Sequence, residues 1–133
     1  MIHKISLNTR SHVDFLDITK KVRDIIADSG VISGICYIYV PHTTAAVMIN
    51  EHADPDVVED ISAHLELMVP QHGNYRHTEG NSAAHIKASI IGESKVVLVE
   101  YGEPALGTWQ GIFFCEFDGP RNRNVMVKIA ADK

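Results

Sequence analysis

An apolar run, GICYIYV, occupies residues 34–40 and is rich in β-branched and aromatic residues. This composition predicts a central β-strand buried on both faces, which Pro41 ends. The run AAVMIN at residues 45–50 predicts the next strand. Further strands are expected at residues 2–7, 12–17 and 95–101, and in the runs TWQGIFFCEF and NVMVKIA. The last two runs are predicted to form a hairpin around Asp118-Gly119-Pro120.

Three helices are predicted between these strands. Thr19 is expected to cap a helix that ends at Gly30, since four apolar residues recur on one face of that segment. Asp54-Pro55 is typical of a helix start, and Asn81 precedes a third helix at about residues 82–91. The order ββαββααβββ predicts one α+β domain over residues 1–133, with a mixed or mostly antiparallel sheet.

Composition narrows the class of protein. The chain has 133 residues, with 12 basic and 17 acidic side chains and a net charge of −5, which argues against nucleic acid as a partner. No apolar run reaches ~18 residues, so no membrane span is expected. The first ten residues, MIHKISLNTR, lack an apolar signal segment, and a cytoplasmic location is predicted.

The first candidate for chemistry is the segment PHTTA at residues 41–45. His42 follows the predicted central strand and is accompanied by the hydroxyls of Thr43 and Thr44. An imidazole held at the end of a rigid strand suits a metal ligand or a general base. The alternative is that these three side chains only satisfy backbone groups of a turn.

Two further polar clusters follow along the chain. Glu51 is a candidate base, whereas Asp54 already has a structural role as a helix cap. The polar loop at residues 70–80 contains His77, and His85 lies one turn inside the helix that this loop enters. Gly80 and Asn81 stand at that helix start, where free N–H groups favour a phosphate or carboxylate.

The third candidate region is the glycine-rich loop at residues 102–112. Trp109 suits either a core anchor or a stacking surface, and Gln110 is expected to point into a cleft. Arg121 and Arg123 flank the tip of the predicted hairpin and are candidate clamps for an anionic substrate, the alternative being that both are exposed and solvated. From these residues alone, the sequence indicates a small α+β protein with a histidine-rich pocket suited to a metal or an anion.

Several motifs in this order resemble the YjbQ-like family, some of whose members are described as secondary thiamine-phosphate synthases. The motifs are HTTAA (42–46), NEHADPD (50–56), YRHTEGNSAAHIKASIIG (75–92), LGTWQGI (106–112) and EFDGPRNR (116–123). The resemblance covers nearly the whole chain. His52 departs from it, because asparagine is expected after the glutamate of the second motif.

The resemblance implies a sandwich-like sheet arrangement, a homotrimer and a pocket near the subunit interface. It makes His42, His77 and His85 the preferred metal or catalytic histidines. It makes Glu51, Trp109, Gln110 and Arg121 pocket residues. Three imidazoles favour Zn²⁺ over Mg²⁺, which prefers oxygen ligands.

Two classes of function are expected from this combination. The first is a transferase of thiamine-phosphate synthase type, which joins a pyrimidine pyrophosphate to a thiazole phosphate, as a main or side activity. The second is a non-catalytic trimer that binds a metal or a small phosphorylated metabolite. Metal-dependent hydrolysis of a small phosphate or ester is a third reaction open to the same residues.

Overall fold

Eight strands and three helices make up the computed structural model, which describes residues 1–133. The strands are β1 (His3–Asn8), β2 (Asp14–Asp17), β3 (Gly34–Tyr39), β4 (Ala45–Glu51), β5 (Ser94–Glu100), β6 (Glu103–Pro104), β7 (Gln110–Glu116) and β8 (Asn122–Ala131). The helices are α1 (Thr19–Ser29), α2 (Pro55–Met68) and α3 (Ser82–Ile91). The predicted α+β class with three helices is therefore confirmed.

The strands form two separate sheets in which every pair is antiparallel. The first sheet has five strands in the order β1-β8-β3-β5-β6, and the second has three in the order β2-β7-β4. Antiparallel strands place alternate side chains on opposite faces. In β7, Ile112 and Phe114 therefore join one apolar cluster, whereas Phe113 and Cys115 join another.

These two clusters define the layers of the molecule. The larger cluster lies between the two sheets and includes the apolar face of α1. The smaller cluster lies between the three-stranded sheet and helices α2 and α3. Strands β4 and β7 belong to both clusters and are therefore apolar on both faces. None of the three helices has both the length and the apolar character needed to cross a membrane.

The prediction that residues 34–40 are buried on both faces is wrong. In β3, Cys36 and Ile38 are fully buried in the main core, but Tyr37 and Tyr39 are exposed on the outer face. The doubly buried strands are instead β4 and β7, because α2 and α3 cover the outer face of their sheet. The apolar composition of β3 does not distinguish a covered outer face from an open one.

The predicted hairpin around Asp118-Gly119-Pro120 is also wrong. β7 and β8 lie in different sheets, so the segment between them crosses from one sheet to the other. β8 pairs with β1 and β3, whereas β7 pairs with β2 and β4. Turn residues between two apolar runs indicate a reversal of the chain, but they do not specify which strands become partners.

The helix caps differ in part from the prediction. Asp54 caps α2 through a hydrogen bond that its side chain accepts from the amide of Asp56, as expected. Thr19 is the first residue of α1 rather than its cap, and its hydroxyl bonds to Asp17. Asn81 occupies the cap position of α3 without making a side-chain cap bond.

The pairing of β3 with β8 is tested by Gly34→Ala. A Cβ at residue 34 would overlap the carbonyl oxygen of Ala130, on the neighbouring strand. Overpacking of this kind typically costs about 1–3 kcal/mol, so we expect this loss in the free energy of unfolding measured with urea. Unchanged stability of the variant would contradict the register that places Gly34 opposite Ala131.

Candidate functional site

A polar cleft of about 630 Å³ opens at one end of the sandwich. There, residues 40–44 connect β3 to β4, and residues 117–121 connect β7 to β8, so that two crossings between the sheets meet. The start of α3 lies beside them. The residues predicted from the sequence that line this cleft are His42, Thr43, Thr44, Asn81, His85 and Arg121. The fold therefore brings three separate motifs together.

His42 is held as a neutral ring with one defined tautomer. Its Nε2 atom lies 2.9 Å from the backbone nitrogen of Asn124, which can only donate. Nε2 must then be the acceptor, so the ring proton sits on Nδ1. Burial and the nearby positive charge of Arg123 both lower the pKa of His42. His42 thus offers the cleft an N–H donor rather than a free lone pair.

A buried ion pair lies at one wall of the cleft, which its arginine, Arg123, lines. The carboxylate of Glu116, which is fully buried, accepts bonds from Nε and Nη2 of Arg123, so the pairing is bidentate. Thr9 Oγ1 and the amide of Asp118 also donate to this carboxylate. Burial acts to raise the pKa of Glu116, but these bonds outweigh burial and lower it. Nη2 of Arg123 also donates to Thr44 Oγ1 at 2.8 Å.

Asp118 links α3 to the rim of the cleft. Its Oδ2 atom accepts hydrogen bonds from Nδ2 of Asn81 and Nη2 of Arg121, each at 3.0 Å. Because a carboxylate paired with arginine accepts, these contacts fix the orientation of the Asn81 amide. Oδ1 of Asn81 is left as a buried acceptor without a partner. Arg121 is thereby held at the rim.

His85 has the cleft on one side and His77 on the other. The rings of His77 and His85 meet edge to face with their centroids 5.5 Å apart. A smaller cavity of about 300 Å³ adjoins them and is also lined by Tyr75 and Ile86. His77 lines this second cavity and lies 3.8 Å from Glu79 through Nε2. Gly80 precedes Asn81, and its carbonyl accepts a bond from Gln71.

Glu51, Trp109 and Gln110 lie elsewhere in the subunit. Glu51 ends β4 and pairs with Gln110, whereas the cleft lies at the start of β4, some 20 Å away along a seven-residue strand. Glu51 accepts a bond from the amide of Ala53, and Gln110 accepts one from the amide of Gly107. Within one subunit these three residues are not cleft residues.

The residues do not fit the three-histidine metal centre. A metal on Nδ1 of His42 would move the ring proton to Nε2, where it would oppose the amide proton of Asn124. No group of three or more His, Cys, Asp or Glu side chains is arranged within the subunit to hold a metal ion. The preference for zinc stays a prediction, and elemental analysis of the purified protein would test it.

Sequence reasoning left Glu116 and Asp118 out of the candidate site, whereas it noted Arg123 beside Arg121 as a candidate clamp for an anion. The sequence did contain a signal for Glu116, because this residue directly follows the apolar run IFFC in a strand. A carboxylate in such a run needs a buried partner. The sequence did not identify Arg123 as that partner.

Comparison with known proteins agrees with this fold. The sequence profile described as "UPF0047 protein YjbQ-like" matches residues 3–132. The chain belongs to this family. A UPF0047 protein of Methanocaldococcus jannaschii is 50% identical over the whole chain and 96% of its own length. The UPF0047 protein YugU of Bacillus subtilis is 46% identical over 97% of this chain and 98% of its own.

Solved structures of YjbQ-like proteins superimpose closely. A YjbQ/UPF0047 family protein from Clostridium acetobutylicum is 51% identical, with a TM-score of 0.95 over 96% of this chain and 99% of that chain. A YjbQ-like protein from Sulfolobus solfataricus is 35% identical, with a TM-score of 0.95 over 99% and 97% of the two chains. The architecture is therefore shared among YjbQ-like proteins.

The protonation state of His42 predicts a pH dependence of stability. Because the pKa of His42 is lowered in the folded protein, the unfolded chain binds the proton more readily. The stability that neutral His42 contributes is fully present above the ordinary pKa of 6.5 and is lost as the pH falls below 6.5 through the lowered pKa of the folded protein. His42→Gln keeps an acceptor for Asn124 but does not titrate. We expect it to lose less stability than wild type between pH 7.5 and pH 5.5, as measured by urea unfolding. Equal losses would contradict the assignment.

Proposed function

We propose that the cleft is the catalytic site of a transferase of thiamine-phosphate synthase type, which acts on small phosphorylated substrates. The observation that carries the proposal is the set of fixed hydrogen-bond donors that meet in the cleft. His42 offers Nδ1–H, Arg121 is held at the rim by Asp118, and α3 starts beside both. Donors fixed in advance suit the stabilisation of charge on a departing pyrophosphate.

The proposed reaction forms one bond and breaks another. The ring nitrogen of the thiazole phosphate supplies an electron pair to the methylene carbon of the pyrimidine pyrophosphate. The bond from that carbon to the pyrophosphate oxygen breaks, and the pyrophosphate leaves with its electron pair. In the proposal, His42 and Arg121 donate hydrogen bonds to the leaving oxygens, while His85 acts as the general acid that supplies a proton to them.

His85 provides the test of the reaction. Purified protein is supplied with both substrates and either Mg²⁺ or Zn²⁺, and thiamine phosphate is measured by chromatography. We expect His85→Gln to reduce the rate by ~100-fold, as for loss of a general acid. His64→Gln is the matched control, because His64 lies exposed on α2 away from the cleft, and its rate should equal that of wild type.

Each outcome of this assay has a distinct meaning. Formation of thiamine phosphate that depends on His85 supports the transferase. No product above the His85→Gln background rejects it. Binding of the phosphorylated substrates without turnover would instead favour the phosphometabolite-binding trimer, since the same donors serve both functions.

We also propose that the protein acts as a homotrimer, as the resemblance to the family implied. The outer face of the five-stranded sheet supports this proposal, because it exposes large apolar side chains, namely Ile2, Tyr37, Tyr39, Val96 and Leu98. Contiguous apolar surface of this kind marks contact sites between proteins. Tyr39 also lines the cleft, so a second copy on this face would lie next to the site.

A charge on this face tests the assembly. We expect Leu98→Glu to convert the trimer to monomers, measured by light scattering, because the buried charge would lack a partner. Leu67→Glu is the control, since Leu67 is exposed on α2, away from this sheet face, and this variant should remain trimeric. A monomer mass for wild type would exclude the trimer.

A further inference from the structure

The guanidinium of Arg123 is only partly used by the protein. Arginine has five N–H donors in a planar fork. Nε and Nη2 account for three of them, through Glu116 and Thr44. Nη1, with its two N–H groups, has no hydrogen-bond partner in the subunit. Two N–H groups of Arg123 are therefore not used within the subunit.

The unused edge of Arg123 reaches the cleft. Among buried side-chain nitrogen and oxygen atoms, only Oδ1 of Asn81 lacks a partner. Nη1 of Arg123 is therefore accessible, although the whole residue is only 5% exposed. Arg123 lines the cleft described above. The accessible edge is thus a small positive surface in a wall of that cleft.

Two further donors lie beside this edge. Nδ1–H of His42 has no partner in the subunit and, by the same reasoning, is accessible. Arg123 is close enough to His42 to lower the pKa of its ring. The hydroxyl of Thr44 accepts from Arg123, so its own proton is free to donate to a ligand. Arg123, His42 and Thr44 can therefore all act as hydrogen-bond donors to a ligand.

We propose that Arg123 is the buried anchor for the phosphoryl group of the substrate, with His42 and Thr44 as its partners. This inference rests on the proposed function and gives a defined role to Arg123, which the sequence indicated only as one of two arginines flanking a turn. Several converging N–H and O–H donors match the terminal oxygens of a phosphoryl group. Glu116 holds the guanidinium in place and leaves Nη1 as the edge that contacts the ligand.

The acidic residues of the cleft favour binding of a phosphoryl group at the wall that contains Arg123, because they disfavour an anion elsewhere in the cleft. Glu79, Glu93 and Asp118 also line the cleft and disfavour an anion near their carboxylates. The carboxylate of Glu116 is turned away from a ligand, because both its oxygens are occupied by protein donors. The wall formed by Arg123, His42 and Thr44 is therefore where a phosphoryl group meets donors rather than carboxylates.

The experiment measures binding of inorganic pyrophosphate by titration calorimetry, independently of turnover. In one variant, Glu116→Leu and Arg123→Met are combined, because replacing both members of a buried ion pair with apolar residues is often neutral for folding. We expect this variant to bind pyrophosphate at least tenfold more weakly than wild type. Arg23→Met, on the exposed face of α1, is the control and should bind like wild type.

A second variant keeps the proposal testable if the first variant does not fold. Arg123→Lys keeps a positive charge for Glu116 but has no second nitrogen to present to the cleft. With folding monitored by circular dichroism, it too should lose at least tenfold in affinity. Wild-type affinity in either folded variant, or no pyrophosphate binding by wild type, would overturn the anchor. Loss of binding in these variants without any thiamine phosphate synthesis by wild type would reject the transferase and leave the anchor standing.

Discussion

The ion pair between Glu116 and Arg123 joins the two sheets at the end where the cleft lies. Glu116 ends β7 in the three-stranded sheet, and Arg123 lies near the start of β8 in the five-stranded sheet. Two buried charges are costly unless each is paired and fully hydrogen-bonded, and removal of one partner typically costs about 3–5 kcal/mol. Thr9 donates a further hydrogen bond to Glu116, and Thr44 accepts one from Arg123, so the end of β1 and the β3–β4 connection are drawn to the same point.

That constraint explains why the polar residues gather where they do. The connections that carry His42 and Arg121 both cross between the sheets at this end, and backbone groups in such crossings lack strand partners. The side chain of His42 accepts a hydrogen bond from the amide of Asn124 in β8, beyond the point where the pairing of β8 with β3 ends. The same bond fixes the tautomer of the ring. Structural bonding and the proposed recognition of a phosphoryl group are thus served by the same side chains.

Much of the local structure follows from the sequence. The bounds of α1 and α3, the proline start of α2 and most strands are determined by short-range signals, namely apolar periodicity, caps and glycine stops. The motifs around His42, Asn81, His85 and Arg121 were also found from residue chemistry and resemblance. The predictions of these helices and strands succeeded because each depends on neighbours along the chain.

The arrangement of the sheets was decided only in three dimensions. The sequence by itself determined an α+β chain with three helices and a set of polar motifs suited to an anion. It did not determine that β7 and β8 belong to different sheets, or that Glu51, Trp109 and Gln110 lie far from His42 in the subunit. Strand pairing joins residues distant along the chain, and its register depends on packing over both faces of each sheet. The partnership of Glu116 with Arg123 depends on that packing, and so does the cleft.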